Sequence, residues 1–82
     1  MQAGIYKHYK GGYYQVLGVG AHSESDEKMV VYVSLDAALS GPRMRIRPLD
    51  GPEGFQTPVE NPDRYSSAAK IPRFFHVGDQ IS

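Results

Sequence analysis

The chain has no cysteine among its 82 residues. That excludes a disulfide framework, any thiolate metal site and a cysteine nucleophile, and it points to a reducing, cytoplasmic setting. There is no apolar run at the amino terminus either, where "MQAGIYKHYK" reads as neither a signal peptide nor a spanning helix, so a soluble domain away from membrane is expected. Net charge is also missing: nine basic residues balance nine acidic ones, whereas a dedicated nucleic-acid binder usually carries a positive excess. Repeats, heptads and low-complexity tracts do not occur, and "GVG" within "VLGVGAH" is followed by neither lysine nor helix, which excludes a phosphate loop.

The acids that do occur are unevenly placed. None precedes Glu24, while Lys7 and Lys10 stand in that opening stretch and "RMRIR" adds Arg43, Arg45 and Arg47. A local basic patch therefore survives overall neutrality. At this length a single domain spanning 1–82 buries only about 60 to 65% of its unfolded surface, so each large apolar side chain matters.

Five segments read as strands. "GIYKHYK" and "YYQVLGVGAH" flank Gly11-Gly12, a pair able to supply positive φ at both centres of a tight turn, and a two-residue turn would set Lys10 opposite Tyr13 and Tyr9 opposite Tyr14. That register places Tyr6, His8, Lys10 and Tyr13 on one face. "HSESDEK" is a polar connection. "KMVVYVSL" is the most β-branched segment and predicts a central strand with Met29, Val31, Val33 and Leu35 inward. "RMRIRPL" alternates, which predicts Met44 and Ile46 facing the core and the arginines outward, with Pro48 ending the strand. Phe55 is expected to fold back onto the core. "KIPRFFHV" supplies a last strand that closes a barrel, and "GDQIS" frays. In "NPDRYSSAAK", Asn61 as cap, Pro62 and Asp63 suit the start of a short helix near 61–70, with a mobile excursion as the alternative.

The strings "GIYKHYKGGYYQVLGVGAHSE", "VVYVSL", "RIRPL", Phe55 and "PRF" resemble the bacterial family known as domain of unknown function 1653, from Gly4 to Phe74. The resemblance implies a small, β-rich, stand-alone domain and carries no activity with it. Its recurring polar positions fall on His8, Lys10, His22, Glu24, Arg47 and Arg73, and its aromatic ones on Tyr6, Tyr9, Tyr14 and Tyr32. Arg45 stands where the family commonly has an aromatic residue, and the stretch from Phe55 to Pro72 is longer.

Three kinds of chemistry compete. His8, His22 and Glu24 are groups that shuttle protons or bind zinc, but the spacing fits no complete site, and turn-forming hydrogen bonds explain His22 equally well. Tyrosines with Lys7, Lys10, Arg43, Arg45 and Arg47 could stack on and neutralise single-stranded nucleic acid. The same residue types suit a groove for an extended peptide, unless Arg47 and Arg73 are tied up by Glu24, Asp50 or Glu53.

The sequence thus predicts an all-β fold, either a small SH3-like barrel or a strongly bent antiparallel sheet of about five strands. The expected function is a non-enzymatic binding module, without cofactor or metal, that recognises a protein or peptide partner through Tyr6, His8, Lys10, Tyr13, His22, Glu24, Tyr32, Arg47 and Arg73. Single-stranded nucleic acid is the alternative partner, an enzyme or metal site at His22 and Glu24 the other, and both monomer and dimer remain open.

Overall fold

The computed structural model describes residues 1–79. Its strands are β1 Gly4–His8, β2 Tyr13–Ala21, β3 Lys28–Ser34, β4 Met44–Pro48, β5 Val59–Glu60, β6 Lys70–Ile71 and β7 Phe74–Gly78. Five of them form one antiparallel sheet in the order β4-β3-β2-β1-β7, and β5 pairs with β6 in a separate ribbon. The fold is all-β, as the turn-punctuated sequence implies, but the sheet stays open: β4 and β7 are its two edges. The bent sheet, rather than the closed barrel, is what forms.

The first hairpin departs from the expected register. His8 N–H donates to Gly12 O at 3.0 Å and Gly11 N–H to His8 O at 2.8 Å, so three residues, not two, make the turn. Gly11 and Gly12 do hold positive φ, at 104° and 87°. Tyr13 accordingly pairs with Lys7 and Tyr14 with Tyr6. A slip by an odd number of residues moves every side chain to the other face. Tyr6, His8, Tyr14 and Val16 therefore share the inner face, and Lys7 and Tyr13 lie on the outer one.

The same inversion holds across β3 and β4. Val30, Tyr32 and Ser34 are buried, whereas Met29, Val31 and Val33 are only half-buried. Leu17 is left unpaired by a bulge between Val16 and Gly18, and such a bulge bends the strand that carries it. Arg45 pairs with Tyr32 and Arg47 with Val30, so the arginines of β4 lie on the inner face and Met44 and Ile46 on the outer. The expected assignment is corrected here for a physical reason: both faces of β3 carry residues apolar enough to bury, so residue type alone could not choose between them.

The core consists of Tyr6, Val16, Val30, Tyr32, Leu49, Phe55 and Phe74. Phe55, 2% exposed, returns to it as expected, and its ring stacks on Phe74 with centroids 4.0 Å apart and planes 2° apart. Tyr6, Tyr14 and Tyr32 meet these two rings edge-on at 5.2–5.8 Å, the arrangement that ring quadrupoles favour. Because Phe74 belongs to β7 and Tyr32 to β3, the sheet curls far enough to bring an edge strand over its centre.

The return of Phe55 depends on a tight loop after β4. Phe55 N–H donates to Pro48 O at 2.7 Å and Gly54 N–H to Gly51 O at 3.0 Å. A Cβ on Gly54 would lie 2.6 Å from the Asp50 backbone, so only glycine fits there. No helix forms near 61–70. Asn61 and Asp63 use their carboxamide and carboxylate oxygens to accept from Asp63 N–H and Tyr65 N–H, at 2.9 and 3.0 Å, shaping turns between β5 and β6 instead. The cap residues satisfy backbone donors in either setting, and no apolar stripe follows them to support a helix. Of "GDQIS", residues 80–82 lie outside the described residues.

Candidate binding surface

The inner face exposes cations where the aromatic floor ends. A recess of about 330 Å³ is lined by Tyr32, Arg45, Ile46, Arg47, Pro48 and Glu53. Arg47 reaches it from β4: its guanidinium sits 5.7 Å from the Phe74 ring centroid, Nε donates to the Tyr32 hydroxyl at 3.3 Å, and one terminal nitrogen donates to Glu53 O at 2.9 Å. Arg73, just before β7, donates to Pro52 O at 3.1 Å. Its Nε is buried with no hydrogen-bond partner. Both guanidiniums share a single carboxylate, Glu53, at 4.0 Å each. Neither Glu24 nor Asp50 pairs with them among the described residues, and the Glu53 side chain is 80% exposed. So exposed a partner at that distance screens little of two positive charges.

His8 looks onto the same arginines from β1. Its ring packs edge-on against Phe74 at 4.9 Å and beside Tyr9 at 4.6 Å. Nδ1 accepts the Lys10 N–H at 3.1 Å, which leaves the proton of the neutral ring on Nε2. Burial, and then the positive charges of Arg47, Arg73 and Lys10, hold this imidazole below the ordinary histidine range. It is therefore a neutral donor at pH 7. Lys10 lies over the Tyr9 ring at 5.7 Å.

The remaining expected site residues are dispersed. Tyr6 is a core residue whose hydroxyl donates to Gln2 O, and burial raises its pKa. Tyr32, although interred at 5%, is not among the dispersed ones, for it lines the recess and its hydroxyl accepts from Arg47. Tyr13, on the outer face, lies under Lys7 Nζ at 5.8 Å and borders another recess, of about 390 Å³, with Gly12, Leu35 and Asp36. His22 and Glu24 sit at the tip beyond β2, away from the arginines. There His22 Nδ1 accepts from Glu24 N–H and Ser25 N–H at 3.2 and 3.4 Å, which ties its imidazole to the turn. Among the described residues no three His, Asp or Glu side chains gather as a metal site would require.

The structure thus brings His8, Lys10, Tyr32, Arg47 and Arg73 together and leaves Tyr6, Tyr13, His22 and Glu24 out. Arg45 and Phe74 belong to the same surface, although the sequence pointed to Arg45 only for the nucleic-acid reading and to Phe74 for neither. For Arg45 the signal was present in the alternation of "RMRIR", but the face was assigned the wrong way round.

The chain belongs to a family described as a protein of unknown function, DUF1653, whose model matches residues 4–75. It is similar to a solved structure of a DUF1653 protein from Bordetella bronchiseptica, at 35% identity and a TM-score of 0.78, over 96% of this chain and 90% of that one. No curated protein matches it. No helix among the described residues is long and apolar enough to cross a membrane.

Proposed function

We propose that this chain is a non-enzymatic recognition module that binds a carboxylate-bearing segment of a protein or peptide at the inner-face recess. The observation that supports this reading is the convergence of Arg45, Arg47, Arg73 and Lys10, with the neutral donor His8, around a surface that offers one largely exposed carboxylate, Glu53. Arginine forks match carboxylates bidentately, and the Phe74 ring beneath Arg47 holds that guanidinium in place. Single-stranded nucleic acid would need faces of aromatic rings to stack on. On the inner face Tyr6 and Tyr32 bury theirs, and the exposed ring of Tyr13 lies on the outer face away from the arginines, which favours the peptide.

The test is binding of immobilised acidic, neutral and basic peptides, and of single-stranded poly-dT, to the intact protein and to Arg47→Ala. Retention of acidic peptides, lost by about tenfold in the variant, is the expected result. Equal retention of basic peptides, or salt-sensitive binding of poly-dT alone, would overturn it.

A further inference from the structure

The open edge of β4 has a hydrogen-bonding and charge pattern that the recess alone does not explain. Ser34 N–H donates to Arg43 O at 3.0 Å, and Leu49 N–H donates to Lys28 O at 2.9 Å. Backbone direction alternates along a strand, so Arg43, Arg45 and Arg47 aim their backbone groups at β3, and Met44 and Ile46 aim theirs away from the sheet. Pro48 bounds this free stretch: its nitrogen has no hydrogen, and its carbonyl is occupied by Phe55 N–H at 2.7 Å. Met44 and Ile46, 58% and 65% exposed, lie beside the half-buried Val31 and Val33 on the outer face.

The same β4 edge of a second copy is a poor occupant. Antiparallel pairing must set the outward-pointing positions 44 and 46 opposite each other, and every such register places arginines opposite arginines on the inner face. Directly opposed like charges destabilise a ladder. The complementary occupant is an extended segment that alternates acidic and apolar residues.

Building on the peptide-recognition reading above, we infer that β4 accepts an acidic, extended segment of a partner protein as an added antiparallel strand. Its carboxylates face Arg43, Arg45 and Arg47 on the inner side. Its apolar side chains extend the outer face at Met44 and Ile46. Hydrogen bonds to the backbone of Met44 and Ile46 supply affinity independent of side chains, and the arginines select for charge.

The test uses an end-blocked eight-residue peptide alternating glutamate and valine, with the intact 82-residue protein. Its valines oppose Met44 and Ile46 and donate to them, so methylating the valine nitrogens should weaken binding about tenfold or more, while methylating the glutamate nitrogens should leave it largely intact. The amides of Met44 and Ile46 should gain protection from hydrogen exchange when the peptide binds. Arg45→Glu, at an exposed side chain outside the core, should lose binding by about tenfold with an unchanged amide spectrum elsewhere. Binding that ignores both methylation patterns, or protection that falls elsewhere than β4, overturns strand addition and leaves carboxylate recognition standing. Failure of every acidic peptide to bind overturns both.

Discussion

Of the three histidines, His22 and His8 stand near charged groups in settings that are built differently. At the tip, His22 lies among Glu24, Asp26 and Glu27, yet its ring accepts hydrogen bonds from the backbone of its own turn. Asp26, at φ 60°, closes the same turn by donating its N–H to His22 O at 2.9 Å. On the inner face, His8 feels the positive charges of Arg47 and Arg73, which lie far from it along the chain and arrive on β4 and ahead of β7. Local polar clusters satisfy themselves. Convergence of like charges from distant strands costs stability, and it persists only where core packing fixes the strands that carry them.

Phe74→Ala should break this contrast most severely. The ring stacks on Phe55, is met edge-on by His8, Tyr14 and Tyr32, and supports the Arg47 guanidinium. Its removal is expected to cost about 3–5 kcal/mol, a large share of the roughly 5–15 kcal/mol that holds a typical domain. Denaturant unfolding followed by circular dichroism would measure it. Loss below about 1 kcal/mol would mean that the stacked pair is not the keystone of the core.

His22→Ala tests the other region. The two hydrogen bonds it removes are exposed, so a loss of about 1 kcal/mol or less is expected, together with faster exchange of the Glu24 and Ser25 amides. Binding of acidic peptides should not change. A substantial loss of such binding in this variant would place the tip in the recognition surface after all.

The smallest effect concerns acidity. His8 has its folded-state pKa lowered, first by burial and then by Arg47, Arg73 and Lys10. The unfolded chain therefore takes up this proton more readily, and stability rises with pH across the interval between the two values. The contribution is complete above the unfolded value of about 6.5 and drains away as pH falls through the folded one. Stability measured between pH 7.5 and 5 should decline less steeply in His8→Gln than in the parent. Identical slopes would show that neither burial nor the neighbouring cations lower the His8 pKa.

Much of the strand layout was legible in the sequence. "KMVVYVSL" had to be a strand because a run of β-branched residues between a polar turn and a Gly-Pro break has few other outcomes, and β3 occupies Lys28–Ser34. Phe55 turns inward because so small a domain has few large apolar side chains with which to build a core, and it ends 2% exposed. Faces were harder. Tyr32 and Ser34 are buried on β3 while Met29 and Val33 are not, because the Tyr32 hydroxyl finds Arg47 Nε at the rim and the ring can then fill the core. That partner lies fifteen residues away, and no local pattern announces it.

The candidate surface shows the same division. Its cations could be listed from composition, and His8, Lys10, Arg47 and Arg73 were singled out from the resemblance. Placing them together required the hairpin register, and placing Tyr13 away from them did too.

By itself the sequence determined that this chain is all-β, where its five main strands lie, and that Phe55 returns to the core, since burial and turn chemistry act over short distances; that Phe74 is buried and Phe75 is 40% exposed was not readable from it. Tertiary structure alone decided which side of each strand is inside. A three-residue turn at Tyr9–Gly11 and a bulge at Leu17 set that parity, and only the curled sheet brings the arginines of β4 and Arg73 over one ring of β7.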